Sequence, residues 1–573
     1  MNILGISSYS HEASSTLIKD DTLVGHIEEE KLNREKHTAK FPELGIRQLL
    51  EIGKISVNEI DEIAFFWSPM KEILGNASHF IKYFPASLNL LSAKSDINTL
   101  SIPKKIAKMA FLNRDFKDKL KTNSSPKIRY WPHHMCHAAS AYYINPYEHT
   151  AILVIDGRGE DIATSIWEGK DGKLEMKLAV KVPHSIGHLY AACTDFLGFK
   201  PFADEWKVMG LSAYGNKTLF QKFTSILNTD IDPYQLNLEF FNFHTHGQSR
   251  WVSEKFIAEF GSPRQHGSEI TQRDYNLAMA LQVSIEDIGI KLSRMAQKLT
   301  TAPNLLVTGG VGLNCLMNQK IKEDDHFKNY FFHPLSNDSG CALGAALLSR
   351  NLYQNKFNPI LLENLYLGPE YLNDEIEKVL LEKKIVYKRH ENFVPIVAEY
   401  LASGKVVGWF HGRLESGPRA LGNRSIVASP LISDMKDRLN QKVKRRESFR
   451  PFAPSVKEES AAEYFEIDEH ETGPYMIRTM NVREAKRSII PAVTHVDGTA
   501  RVQTVNRKQN LLYWNLINEF EKLTGVPIII NTSFNENEPI VNSPDEAISC
   551  FLRNNFDVLS IGSFIVEKKD NLT

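Results

Sequence analysis

A chain of 573 residues with a net charge of −1 has room for more than one domain and exerts no overall electrostatic pull on nucleic acid. Its 42% hydrophobic and 24% charged content is that of an ordinary globular protein, and no apolar run is long enough to span a membrane. The start, MNILGISSYSHEASS, lacks the basic segment of a signal peptide. The cysteines Cys136, Cys193, Cys315, Cys341 and Cys550 show no C-x-x-C spacing, which argues for a reducing cytoplasm and against zinc ribbons.

In chain order, Asn2–Ser7 reads as a short strand, followed by a polar turn through Ser8, His11, Glu12 and Ser14. Ser15–Ile18 and Leu23–Ile27 alternate like paired strands about a turn at Lys19, Asp20 and Asp21. Leu44–Ile52 has the spacing of an amphipathic helix and Ile63–Trp67 reads as a strand. Residues 70–130 are less regular. From Ser101 to Tyr130 nine Lys/Arg stand against two Asp, a local charge of +7. This is either a solvated basic face or a flap that attracts an anionic acceptor or a membrane surface.

Residues 130–160, YWPHHMCHAASAYYINPYEHTAILVIDGRGE, carry the sharpest chemistry. His133 and His137 are four apart, so on a helix both imidazoles can reach one point. The apolar run Ala151–Ile155 stops at Asp156-Gly157 and delivers a carboxylate at a strand end. Two imidazoles and a carboxylate suit Fe, Zn or Mn. The zinc-protease pattern H-E-x-x-H fails, because His134 stands where Glu is needed. On spacing alone, histidines that merely cap or pack a helix compete with this reading. Cys136, between them, reads as buried and inert. Residues 151–182 repeat the N-terminal layout of strand, polar turn, strand, hairpin and strand. Such duplication points to two related α/β halves facing a cleft, as in the sugar-kinase and actin-like fold.

Further on, EWKVMGLSAYG (Glu205–Gly215) sets Lys207 beside a glycine-containing turn, a candidate phosphate contact. Ile270–Leu299 reads as a long helix. Asn304–Val307 is a strand running into TGGVGLN (Thr308–Asn314) and then a helix. Gly309, Gly310 and Gly312 could there bring backbone N–H groups to a phosphate, although neither a P-loop nor a dinucleotide fingerprint is present. Asp338, in HPLSNDSGCALGA, is either a second carboxylate ligand or a helix N-cap. A boundary falls near Gln354–Pro359. Helix and strand then alternate over Asp374–Glu382, Ile385–Lys388, Val394–Ser403 and Val406–Phe410. Beyond them Arg413, Arg419, Arg424, Lys442, Lys444, Arg445, Arg446, Arg450 and Arg501 recur among Gly, Pro and small residues. Arg forks in such loops suit bidentate phosphate or carbonyl binding. Arg445-Arg446 also reads as surface charge, while Arg419 and Lys444 are preferred as an anion site.

The ordered set GISSYSHEAS, EEEKLNREKH, PHHMCHAASAYY, VIDGRGE, KVMGLSAYG and TGGVGLNCLMN, followed by ESGPRALGNRSI, VKRRESFRPFAPSV, DGTARVQTV and NTSFNENEPIV, resembles the O-carbamoyltransferases of the nodulation-factor, cephamycin and nebramycin type. The resemblance covers residues 1–350 and about 395–570. Asn537 departs from it, standing where relatives usually have Gly before Glu-Pro.

The resemblance implies two α/β domains. Residues 1–355 would be a duplicated actin-like, sugar-kinase-like (ASKHA) domain that binds metal and carries out carbamoyl transfer, similar to the subunit that makes threonylcarbamoyl-adenosine in tRNA. Residues 360–573 would be a YrdC-like domain forming carbamoyl-adenylate from carbamoyl phosphate and ATP with Mg2+. The implied metal is iron(II), with zinc or manganese as alternatives, on His133, His137, Asp156 and Asp338. His11, Lys444 and Arg419 are the implied catalytic residues, His11 as base for the acceptor hydroxyl. Glu12 and Glu30 would orient the acceptor alongside His11. Nucleotide and carbamoyl phosphate would fall to Lys207, Gly309, Gly310, Gly312, Asn314, Arg413, Arg419, Lys444, Arg450, Arg501, Asn531 and Ser533. The acceptor would be a small hydroxyl-bearing molecule such as a sugar or antibiotic, with no nucleic-acid partner and with room for a homodimer. Three alternatives compete. A tRNA threonylcarbamoyladenosine synthase would need a tRNA-sized basic surface. Hydrogenase-maturation carbamoylation would need Cys-rich zinc fingers. An actin-like scaffold leaves the Arg/Lys-rich second half unexplained.

Overall fold

A computed structural model describes residues 1–91, 102–468 and 471–571, so residue 101 at the start of the basic stretch lies outside the described residues. The chain forms two compact units, one of Met1–Glu30 with His37–Leu362 and one of Lys31–Lys36 with Glu363–Thr573.

The first unit contains two five-stranded sheets with one topology. In the first sheet the order is Thr22–Glu28, Ser14–Lys19, Asn2–Ser7, Glu62–Phe65, Lys127–Tyr130. In the second it is Lys173–Lys181, Ile162–Lys170, His149–Gly159, Asn304–Thr308, Asn329–Phe332. Each begins with a three-strand antiparallel meander. Each then adds two parallel strands beside its first strand. The same order built twice is the duplicated actin-like fold. Each fifth strand leads to a helix, His133–Tyr142 in one copy and Gly340–Asn351 in the other.

These two helices meet backbone to backbone, which is why the second reads GCALGAALL. A Cβ on Gly344 would lie 1.9 Å from the Cys136 carbonyl oxygen, and one on Gly5 would lie 2.0 Å from that of Ala342. A methyl on Gly344 would force the two helices apart and one on Gly5 would force strand from helix, each a change of roughly 1–3 kcal/mol.

Residues 69–91 and 102–120 are more helical than their sequence suggested, with helices Pro69–Lys82, Ile102–Ala110 and Leu112–Leu120. Their apolar stripes are short: Leu112, Phe116 and Leu120 are buried at spacing four, amid lysines that hide the pattern. No described helix is long and apolar enough to cross a membrane.

The second unit is built on one eight-stranded mixed sheet, the α/β class expected of it. Period-two alternation sends neighbouring residues to opposite faces. Trp409, Val427 and Ile529 pack under helices Val394–Ala402 and Leu511–Thr524. Phe410, Ile426 and Ile530 pack with residues of helices Asn373–Glu382 and Pro544–Arg553. Lys31–Lys36 belongs to this unit despite its place early in the chain. Lys31 Nζ donates to the carbonyls of Glu415 (2.8 Å) and Gly417 (2.7 Å). Arg34 donates to those of Pro539 (2.5 Å) and Ile540 (2.7 Å) and pairs with Glu546 at 3.1 Å.

Candidate functional sites

The duplicated topology delivers four side chains of the first unit to one buried point. His133 and His137 share a face of the 133–142 helix. Asp156 lies where the 149–159 strand shifts register against its neighbour, and such a bulge re-aims a side chain. Asp338 stands between the fifth strand of the second copy and its helix; Ser339, not Asp338, is the N-cap. The two imidazole Nε2 atoms are 3.0 Å apart. Asp156 Oδ2 lies 3.1 Å from that of His133 and 3.8 Å from that of His137. Asp338 Oδ1 lies 3.5 and 3.7 Å from the same pair.

This donor set fits a divalent cation. The four side chains each offer one ligand atom within 4.8 Å of the others. Two imidazole nitrogens facing each other across two carboxylate oxygens cannot all be satisfied by protons, whereas a cation about 2.0–2.2 Å from each satisfies them together. Burial alone would raise the Asp156 carboxyl, but the His133 hydrogen bond and the His137 charge pull it well below the usual carboxylate range. Burial works likewise against the fall at Asp338, where His133 and then His11 prevail. For His133 burial favours the neutral ring, and the two aspartates outweigh it and raise its pKa.

The surroundings hold this cluster in place. Glu160 accepts the His133 backbone N–H at 3.2 Å and the Ser68 N–H at 2.8 Å. The Gly310 N–H donates to Asp156 Oδ1 at 3.0 Å. Cys341 Sγ lies 3.9 Å from His133 Nδ1 and forms a second grouping with the two histidines. Glu160 and Cys341 were missed in the sequence. Both lie inside quoted motifs, yet no spacing rule separates them from their neighbours. Cys136 is buried and its thiol is pushed far up by burial, as expected of an inert cysteine.

Other expected residues are placed as follows. His11 Nε2 lies 4.0 Å from Asp338 Oδ2, and its ring stacks on Phe202 at 5.7 Å. Glu12 reaches His37 Nδ1 at 3.5 Å. Glu30 instead accepts the His37 backbone N–H at 2.8 Å, a turn-holding bond rather than one aimed at an acceptor. The glycine junction is corrected too. Gly310 serves Asp156, and the Gly312 N–H closes a turn on the Gly309 carbonyl at 2.7 Å, so neither amide is presented to a phosphate. Gly309 supplies the positive φ of 89° that this turn requires. Asn314 caps helix Cys315–Glu323 through the Met317 N–H and exchanges amide hydrogen bonds with Gln282. Lys207 lies within helix Glu205–Ser212, not beside a turn, and pairs with Asp204 at 3.1 Å.

The second unit gathers cations. Helix Met435–Arg438 widens into a π turn over Leu439–Val443, and Arg445 then takes a left-handed φ of 44°. Such widened turns re-aim the residues that follow. Arg445 turns out to solvent and Arg446 inward, which separates a pair the sequence left together. Burial, then Arg450 and Arg501, push the Arg446 guanidinium down to about 8. Burial and then Arg446 push Lys444 well below the usual lysine range. Lys444 Nζ is held by the Ser533 carbonyl (2.6 Å), the Asn535 carbonyl (2.8 Å) and Asn535 Oδ1 (2.7 Å). Ser533 Oγ donates to Asn535 Oδ1. Asn531 Nδ2 donates to the Ala420 carbonyl and to Gln503, which leaves its buried Oδ1 without a partner. Arg413 donates to the carbonyls of Leu367 and Gly368, the carbonyl binding that Arg forks in such loops suit. Arg419 is half-buried in a loop that Glu415 organises by accepting the Leu421, Asn423 and Arg424 N–H groups.

One chain thus joins a duplicated actin-like unit with a buried His/Asp cluster to an α/β unit with a buried Arg/Lys cluster. Comparison with known proteins gives the class. Residues 2–347 match the carbamoyltransferase N-terminus family and residues 398–568 the carbamoyltransferase C-terminus family. The chain belongs to this family, whose members transfer carbamoyl groups. It is 37% identical to the Synechocystis protein sll1178, over 99% of this chain and 97% of that one. It is 35% identical to the nodulation protein NolNO of Sinorhizobium fredii, over 98% of this chain and 80% of that one. Over 49% of this chain and 51% of the relative it is 34% identical to the 3'-hydroxymethylcephem-O-carbamoyltransferase of Streptomyces clavuligerus.

Proposed function

We propose that the protein is an ATP-dependent O-carbamoyltransferase that makes carbamoyl-adenylate in its second unit and passes the carbamoyl group to a small-molecule hydroxyl in its first. The observation that carries this reading is the division of buried charge, cations around Arg446 and an imidazole–carboxylate cluster around His133.

Carbamoyl phosphate has no free carbamate oxygen, so water must first release phosphate and carbamate. A carbamate oxygen then attacks the α-phosphorus of ATP, and pyrophosphate leaves. Arg419, Lys444, Arg446, Arg450 and Arg501 would neutralise the phosphates, Asn531 and Ser533 would offer hydrogen bonds, and Mg2+ would accompany ATP. In the first unit the acceptor hydroxyl oxygen attacks the carbamoyl carbon. The C–O bond to the adenylate breaks, AMP leaves, and the hydroxyl proton passes to His11. A divalent cation on His133, His137, Asp156 and Asp338, iron(II) with zinc or manganese as alternatives, supplies Lewis acidity toward a carbonyl when bound. Glu12, 3.5 Å from His37 Nδ1, would orient the acceptor. Five buried free cysteines accord with a reducing cytoplasm.

The test incubates the full chain with carbamoyl phosphate, ATP and Mg2+ over a panel of sugars, aminoglycosides and nucleotide-sugars. The expected product carries one added carbamoyl group on oxygen, with one AMP released per ester. A threonylcarbamoyl product, or ester formation without ATP, would overturn the reading.

A further inference from the structure

The basic stretch resolves into paired and unpaired charge. Lys108 pairs with Asp115 at 2.9 Å and Arg114 with Asp118 at 3.5 Å. Lys127 and Arg129 both meet Glu62. Lys104, Lys119 and Lys121 are exposed. Lys105 differs from all of these. It is only 9% exposed, and its Nζ sits 3.2 Å from the centre of the Trp67 ring. Among the described residues it makes no hydrogen bond and no ion pair.

Trp67 places this ammonium at the edge of the transfer centre, because its ring packs on that of His133 at 4.6 Å. Four charged groups act on Lys105 from this neighbourhood: Glu72, Arg158, Asp338 and Glu160. The three carboxylates among them already have other donors. Glu72 accepts from Trp67 Nε1 at 3.1 Å and from Arg158 Nη2 at 3.3 Å. Glu160 accepts the Ser68 and His133 N–H groups. Asp338 faces the two histidines. Arg158 is itself tied to Glu72, Asn76 and the Glu160 carbonyl. A ring face attracts a cation without using its N–H donors. Lys105 therefore brings three N–H donors into a buried place, and none of them meets an acceptor among the described residues, an arrangement that is unfavourable until an anion completes it.

We propose that Lys105, seated on the face of Trp67, is an oxyanion subsite of the transfer centre and takes a phosphate or carboxylate of the molecule that reacts there. The proposal rests on the reading that transfer occurs at the His133 cluster. Two sources carry that chemistry, the phosphate of the adenylate donor and an acidic group on the acceptor. Burial already pushes the Lys105 ammonium down to about 8, and a bound oxyanion acts in the opposite direction.

The test labels the full chain with 5-fluorotryptophan and follows its seven tryptophans by fluorine NMR, with the Trp67 resonance assigned from its loss in Trp67→Phe. Inorganic sulfate, AMP and glucuronate are titrated in turn. The expected result is a saturable shift of the Trp67 resonance with sulfate. It should weaken by about tenfold or more in Lys105→Met and be largely retained in Lys105→Arg, as the loss of a charge-assisted hydrogen bond predicts. Tighter binding of AMP than of sulfate assigns the subsite to the donor, and tighter binding of glucuronate assigns it to the acceptor. The thermal transition of Lys105→Met checks its folding, and Lys105→Arg carries the test if Met is not tolerated. A Trp67 resonance that ignores all three anions, or that responds equally in folded Lys105→Met, overturns the proposal. Because the readout is anion binding, that failure leaves carbamoyl transfer standing, and a failure of carbamoyl transfer leaves the subsite standing.

Discussion

The two charged centres are incomplete in opposite senses. In the first unit, two buried carboxylates and two imidazoles converge until only a cation satisfies them. In the second, Arg446 is crowded by Arg450 and Arg501. A guanidinium does not release its proton under ordinary conditions, so the charge gathered there stays positive. The difference teaches that the sign of the gathered charge separates the two units more sharply than their shared α/β class does.

The sharpest way to break this comparison is to remove one member of each centre. His137→Ala should reduce bound metal to background and lower transfer from supplied carbamoyl-adenylate by at least ~10²-fold. ATP–pyrophosphate exchange driven by carbamoyl phosphate should persist. Metal analysis and the two assays check this, and loss of exchange in the folded variant would dissolve the division. Arg450→Ala should do the reverse. Exchange should fall by roughly 10²-fold, transfer from supplied adenylate should survive, and the rise in melting temperature expected of the parent with pyrophosphate should be lost.

Smaller effects sharpen the contrast. Burial pushes the Glu29 carboxyl in the first unit up to about 7, even though it accepts the Gly45 and Leu44 N–H groups. A raised carboxyl pKa stabilises the fold fully below the unfolded value, and that contribution is lost as pH rises through the folded value. Between about pH 5 and pH 8 the loss should be on the order of 2 kcal/mol. Glu29→Gln should flatten the slope in denaturant titrations. The smallest effect is expected at Cys136, where Cys136→Ala should lower stability by about 1 kcal/mol and leave transfer unchanged. A large loss of transfer in a folded Cys136→Ala protein would show that this cysteine is not inert.

Much of the first centre was legible because two of its rules are local. Spacing four put His133 and His137 on one helix face, and an apolar run ending at Asp156 marked a strand end. The repeat of that layout also announced the duplicated sheets. Gly310 shows what was not legible. A glycine between strand and helix can offer its N–H to many partners, and only the fold shows that Asp156 takes it. Lys105 was hidden for the same reason, since in sequence it is one lysine among nine basic residues. In the second unit the cluster of arginines was visible, but its allocation was not. Arg413 binds carbonyls while Arg446 is turned inward by a π turn that no propensity announces.

The segment Lys31–Lys36 has a consequence for taking the protein apart. The second unit is discontinuous in the chain, so the fragment 363–573 is not a whole unit. Expressed alone, it would leave the carbonyls of Glu415 and Gly417 without the Lys31 ammonium, and those of Pro539 and Ile540 without Arg34. On the ribosome, this six-residue piece emerges hundreds of residues before the sheet that receives it. The second unit therefore cannot close around this piece until that sheet has emerged.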